Sequence, residues 1–277
     1  MNKNMMSWPI YFYSLIVILL FAFLGWLLSL IRKNVTHVDS MWSLFFVLAA
    51  STTAAFVLFV YPAPARLTLV LACVTIWALR LFVYLTWRNW GSHEDSRYVK
   101  IRHNNHPHFW LKSIVIIFAF QGLLAWVISI SLHAAIAAIN PLNGLDYAAL
   151  ALFAFGFIWE TLADLQLSRF KAIASNKGKV LNTGVWQYSR HPNYFGECCV
   201  WWAFYLFALA GGAWWAIISP ILMTLLLLKV SGVSLLESTI TERRPAYVDY
   251  IKSTNAFFPG LAKHQYKDKY QDKYKDK

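Results

Sequence analysis

The sequence predicts an all-α integral membrane protein, a bundle of about seven transmembrane helices, where each span needs about 20 mostly apolar residues. Three observations predict it. Of 277 residues, 58% are hydrophobic and only 14% charged, against roughly a quarter charged in soluble domains. Apolar runs of spanning length recur along the chain. Lysine and arginine gather in alternate loops, which sets an orientation.

The first run, Trp8–Ile31, is too long for a signal-peptide core and lacks a small-residue cleavage site, so it belongs to the mature protein. Met41–Tyr61, Leu67–Trp87, Phe109–Leu132 and Tyr147–Leu167 are each long and apolar enough to cross. Cys198–Ala210 is short, and Gly211-Gly212 parts it from Ala213–Val230, which predicts a tight helical hairpin. Six or eight spans fit the same runs. With seven, one side carries Arg32, Lys33, Arg88, Arg97, Lys100 and Arg102, the bases from Arg169 to Arg190, and those from Arg243 to Lys277. The other side carries Lys3 and Arg66. Basic loops stay in the cytosol. The expected arrangement is therefore an N-terminus outside and a cytosolic C-terminus, in a bacterial inner membrane.

The net charge of +12 is then a topology signal and an attraction to anionic membrane lipids, rather than a nucleic-acid footprint. Cys73, Cys198 and Cys199 lie in or beside spans with no CxxC spacing, so neither a disulfide framework nor a zinc site is expected. In His103-Asn-Asn-His-Pro-His108 the proline breaks helical spacing and no carboxylate or cysteine completes a ligand set, so no metal is expected there. Residues 1–262 form one membrane domain. Residues 263–277 repeat a Tyr-x-Asp-Lys unit that cannot bury a core and read as a disordered tail.

Ionisable residues inside spans cost roughly 2.5–3.5 kcal/mol each and mark functional candidates. Arg80, Tyr84 and Arg88 follow one another at spacings of four, with Trp77 three before, so they share a helix face. Glu160 and Asp164 are also four apart. They can pair with Arg80, line a cavity, or do both. Asp39, beside His37 and Trp42, reads either as an N-cap of the second helix or as a catalytic carboxylate. Before the sixth span, Arg190, His191 and Asn193 precede a helix start at Pro192. Free amides and an arginine there make a mouth suited to phosphate or carboxylate. The same residues also read as an interfacial anchor. Near the C-terminus, Arg243, Tyr247 and Tyr250 fall on one helix face, either covering a cavity or simply solvated.

The block Arg190-His-Pro-Asn-Tyr-Phe-Gly-Glu197, the segments Trp77-Ala-Leu-Arg-Leu81 and Glu94-Asp95-Ser-Arg97-Tyr98, and the closing Glu242-Arg-Arg-Pro-Ala-Tyr-Val-Asp-Tyr250 resemble a bacterial family of uncharacterised membrane proteins. That family is similar to steroid 5-alpha-reductases, and the resemblance runs from about Asp39 to Pro259. It implies a cytosol-facing cavity that binds NADPH and a carbon–carbon double bond reduced in an enone lipid or steroid-like substrate entering from the bilayer. By position, Arg80, Arg88, Asp164, Lys171, Tyr188, Asn193, Glu197 and Arg243 match cofactor-contacting residues. Arg190, His191 and Tyr194 of the shared block, with Glu160 and Tyr247, are expected at the cofactor too. A Glu and a Tyr hold the substrate carbonyl in the family. Asp39 and Trp77 stand in those places here, and a tryptophan has no phenol to give, so either Asp39, His37 or Tyr84 substitutes or the substrate differs. Isoprenylcysteine carboxyl methyltransferases share an Arg-His-Pro-x-Tyr-x-Gly pattern, so an S-adenosylmethionine-dependent methyltransferase is the second reading. A non-enzymatic lipid-binding or transport protein is the third.

Overall fold

The computed structural model describes residues 8–91, 93–230 and 247–261. Every regular element among them is helical. Arg243 and the Tyr-x-Asp-Lys tail lie outside the described residues. The long helices are α1 (Trp8–Arg32), α2 (Val38–Val60) and α3 (Ala65–Asn89), then α5 (Phe109–Ile128) and α7 (Gly144–Ala172) after the short α4 (Ser96–Asn104) and α6 (Ile130–Ile136). They are followed by α8 (Pro192–Ala210), α9 (Ile218–Leu225) and α10 (Tyr247–Ser253). A wide π turn, Ile114–Ala119, lies inside α5.

Helices α1, α2, α3, α5 and α7 are long and apolar enough to cross a membrane, with mean hydropathy from 1.6 to 2.7. The chain is an all-α membrane protein. Among the described residues five of the seven expected spans meet this measure, and the other two fall short for two physical reasons. Helix α8 begins at Pro192 rather than Cys198, and its first turns carry Asn193 and Glu197, which dilute its apolar run. The helical stretch Trp214–Lys229 is apolar but shorter than a full span. The hairpin reading of Gly211-Gly212 fits what surrounds it. Gly212 has a left-handed φ of +92°, and a β carbon on Gly211 would lie 2.6 Å from Ala138 Cβ. Helix α2 starts three residues earlier than expected, with His37 at the cap and Asp39 inside the first turn. Asp39 is therefore not the N-cap.

The chain divides into two compact units, residues 1–149 with 204–219 and residues 150–203 with 220–277. In the first unit, α1 packs on α2 and α5 where Gly25 gives them room. A β carbon there would sit 2.3 Å from Met41 Cε and 3.3 Å from Phe118. Tyr11 and Trp126 stack at 4.3 Å and donate to each other's carbonyls, at 2.9 and 2.8 Å. His133 is buried between Ser14 Oγ, at 3.0 Å, and Thr53 Oγ1. Arg66, at the start of α3, donates from Nε and Nη2 to the two carboxylate oxygens of Asp146 at 2.7 and 2.8 Å, and neither side chain touches solvent. Arg66 also donates to Asn140 Oδ1 at 2.9 Å and to Pro141 O at 3.1 Å. Asn140 and Asn143 in turn donate to the last carbonyl of α8, Ala210 O, at 3.2 and 3.0 Å.

In the second unit, α7 and α8 approach backbone to backbone. A β carbon on Gly156 would lie 2.7 Å from Gly196 O, and one on Gly196 would lie 2.6 Å from Glu160 N. Small residues let membrane helices come this close. Trp186 packs with Ala163 and Val185 and donates from Nε1 to Ala163 O at 3.1 Å.

Removing one partner of a buried pair leaves an uncompensated charge, which costs about 3–5 kcal/mol. Arg66→Met is expected to lower unfolding free energy by about that amount, read in mild detergent, and Asp146→Leu added to it to restore part of the loss.

Candidate functional site

Two polar clusters gather the chemistry-bearing residues, one in each unit. In the first unit the cluster is built by α4. Asp95 caps this helix, accepting from Arg97 N at 2.9 Å and from Arg97 Nε at 3.0 Å. The preceding Glu94 accepts from Val35 N at 3.0 Å and from Arg102 Nε and Nη2 at 2.8 and 2.7 Å. Asp95 N donates to Thr36 Oγ1 at 2.9 Å. These bonds fasten α4 to the loop between α1 and α2. That placement brings Arg97 Nη2 to 2.6 Å from Asp39 Oδ2 and the Tyr98 hydroxyl to 2.5 Å from Asp39 Oδ1. Gln121 Nε2 donates to the Tyr98 oxygen at 3.1 Å. Gln121 stands just past the π turn of α5, where the wider turn changes which face the following residues present.

Tyr98 is buried, and burial together with the charge of Asp39 pushes its phenol well above the usual range. It therefore stays a hydrogen-bond donor at neutral pH. Burial alone would raise the Glu94 carboxyl, but the Arg102 and Val35 hydrogen bonds and the Arg102 charge outweigh it and hold the carboxyl low. Asp95 is depressed against its own burial by Arg97 in the same way.

The other expected residues of this unit fall on α3. Trp77 is wholly buried, with its ring 6.0 Å from that of Phe46. As a tryptophan it brings no phenol to the site. Arg88 lies over the Tyr84 ring at 5.7 Å and donates to Asn89 Oδ1 at 3.2 Å. Arg80 is half-buried on the same helix. His37 donates from Nε2 to Gly25 O at 2.9 Å.

In the second unit, Glu160, Asp164 and Lys171 follow at spacings of four and seven, one stripe of α7. Glu160 and Asp164 are buried, and Lys171 is exposed near the helix end. Asn193, in the first turn of α8, reaches Asp164 Oδ1 at 3.4 Å. His191 is buried and its ring lies parallel to that of Tyr194, centroids 5.7 Å apart. Glu197 is half-buried one turn further on.

Arg190 behaves as a strut. Its Nη1 donates to Thr254 O at 2.5 Å and Ile251 O at 3.2 Å, and its backbone N donates to Asn255 O at 2.9 Å. Those carbonyls close the end of α10, where a cation is favourably placed. Tyr250 donates to Trp186 O, and Ser189 Oγ to Phe257 O at 2.8 Å. Tyr247 is buried beside Tyr250, ring centroids 5.3 Å apart. Tyr188 accepts at its carbonyl from Gly260 N, 3.0 Å away. The Arg190–Glu197 block thus fastens the C-terminal helix while presenting Asn193 and Glu197 from α8.

Reading the sequence left Arg97, Tyr98 and Gln121 out of the site. Two signals pointed to them. The Glu94–Tyr98 segment belongs to the resemblance, and Gln121 is a lone polar residue within an apolar span, where such residues carry function. Among the described residues no group of three His, Cys, Asp or Glu side chains is close enough to hold a metal ion.

The chain matches a family described as "Protein of unknown function (DUF1295)" over residues 25–254. An uncharacterised protein of Schizosaccharomyces pombe is 30% identical over 266 residues, covering 85% of this chain and 76% of that protein. No solved structure matches.

Glu94 and Asp95 have folded-state pKa values below their unfolded ones, so their stabilisation is present above the unfolded values and is lost as pH falls through the folded ones. The melting temperature is expected to fall as pH drops below about 4, and the Glu94→Gln protein, measured over the same series, to show a shallower fall from a lower plateau.

Proposed function

The chain belongs to that family of unknown function, and we propose that it is a membrane-embedded, NADPH-dependent reductase of the carbon–carbon double bond in an enone lipid. The observation that carries the reading is the Tyr98 hydroxyl, buried on Asp39 and steadied by Gln121. The resemblance calls for a carboxylate and a phenol at the substrate carbonyl. With Trp77 in the usual place of the phenol, Tyr98 from α4 supplies it. Asp39, ion-paired with Arg97, accepts from the Tyr98 hydroxyl and so orients it.

The residues of the second unit suit NADPH in their donor and acceptor types. Ribose hydroxyls and a carboxamide need acceptors, and the buried Glu160 and Asp164 offer them. Asn193 and Glu197 add polar groups from α8. Arg190 gives Nη1 to main-chain carbonyls, and the exposed Lys171 and Arg169 would supply charge for the phosphates. When bound, NADPH supplies the hydride that the β carbon of the enone accepts. The Tyr98 O–H, given to Asp39 in the free protein, would turn to the carbonyl oxygen where negative charge develops, and the α carbon would take a proton from water as the enolate collapses. The reading puts the basic loops in the cytosol, beside the soluble cofactor.

Ligand binding stabilises the folded state by mass action. NADPH, but not S-adenosylmethionine, is expected to raise the melting temperature of the purified protein with increasing concentration. A shift with S-adenosylmethionine alone would overturn the reductase reading in favour of methyl transfer. Against a panel of enone lipids, Tyr98→Phe is expected to lower NADPH-consuming turnover about 10²–10⁴-fold while leaving the NADPH-induced melting shift in place.

A further inference from the structure

The first unit holds a chamber of about 390 Å³ between α1, α2 and α3, within the roughly 300–1,000 Å³ of small-molecule sites. It is independent of the reductase reading. On α2 it is walled by His37, Ser40, Met41 and Leu44, which share a face at spacings of three and four. Asp39 points from the other side of the helix, to Arg97 and Tyr98.

Its two ends differ in chemistry. Phe21, Leu24 and Leu28 of α1, with Met41, Leu44 and Phe82, make one end apolar. Arg32, Asn34, His37, Thr86 and Asn89 make the other polar. Both ends lie along α1, where Phe21 to Arg32 is eleven residues, about 16 Å of helix. Leu24 and Leu28 are exposed on the outer surface, so the apolar end opens sideways toward lipid. The polar end sits where α1 and α3 finish and α2 begins, at headgroup level. That gradient is the gradient of a membrane amphiphile.

The polar end also states what head it takes. Among the described residues its walls include one ionised cation, Arg32, and no carboxylate. The nearby Glu94 is already answered by Arg102 and Val35 N. Thr86 Oγ1 is buried with no hydrogen-bond partner among the described residues, a cost that a bound acceptor removes. His37 stays neutral, because burial lowers its pKa, reinforced by Arg32 and opposed by its bond to Gly25 O. A single positive charge beside neutral donors suits a monoanion better than a phosphate monoester, which carries nearly two charges.

We propose that this chamber binds a long-chain carboxylate, with its chain among Phe21, Leu24, Leu44 and Phe82 and its head at Arg32 and Thr86. The test is binding of radiolabelled palmitate to the full chain in phosphatidylcholine nanodiscs, counted above empty discs, with hexadecanol and lysophosphatidate as competitors. One palmitate per chain is expected, displaced at least about tenfold less well by hexadecanol, since a hydrogen bond to a charged group is worth about 1.5–3 kcal/mol. Arg32→Gln, at an exposed helix end, is expected to weaken palmitate about tenfold and to leave hexadecanol unchanged. Leu44→Trp, which fills the chamber, is expected to abolish both if its melting temperature matches the parent. Unchanged palmitate binding in a parent-like Leu44→Trp protein would overturn the site. Palmitate indifferent to Arg32→Gln, or lysophosphatidate bound tenfold more tightly, would overturn the carboxylate head.

Discussion

Inside a membrane no water is on hand to satisfy a polar group, so each one must find its partner within the protein. That constraint explains most of what this chain does with its few charges. The Arg66–Asp146 pair is the clearest instance. An arginine at the start of α3 is closed off from solvent by a bidentate carboxylate, an asparagine and a proline carbonyl. Asn140 and Asn143 of the same loop then take up the carbonyl that ends α8. A single enclosed guanidinium thus organises a helix start, a loop and a helix end. His133 between Ser14 and Thr53, and the exchange of hydrogen bonds between Tyr11 and Trp126, apply the same rule between helices.

The rule also sorts arginines by job. Arg66 is structural, its donors going to a carboxylate and main-chain oxygens, and Arg190 gives Nη1 to two main-chain carbonyls. Arg97 holds a carboxylate that in turn holds a phenol, which leaves a proton donor in a protected place. Arg32 makes no ion pair among the described residues and borders a chamber with an apolar far end. Three kinds of environment around one side chain give a strut, an orienting group and a binding group.

Glycine plays the matching role for the backbone. Gly25 makes room for Met41 and Phe118, and the Gly156–Gly196 contact lets α7 and α8 touch. That second approach sets Glu160 and Asn193 in the same unit close to the helix crossing. A side chain at either glycine would spread the helices that carry the second cluster.

Much of the fold was legible in the sequence, because insertion into lipid depends on local composition. The long runs that became α1, α2, α3, α5 and α7 are apolar whatever surrounds them. Boundaries were less legible, since polar residues such as Asn193 and Glu197 can still be helical when the protein supplies partners, which extended α8 to Pro192. That Asp39, Glu160, Asp164 and the Arg190 block need partners could be read from charge in an apolar setting. Their individual jobs could not. Arg190, read either as an anion contact or as an interfacial anchor, also donates to carbonyls at the end of α10, which no local pattern announced. The residues beside Asp39 come from α4 and α5, some sixty to eighty positions away, and the chamber draws its walls from three helices. By itself the sequence determined that the chain is a helical membrane protein and which residues are too polar for lipid to be idle. The tertiary structure alone decided which of them meet, because partnership depends on distances between helices that no local pattern encodes.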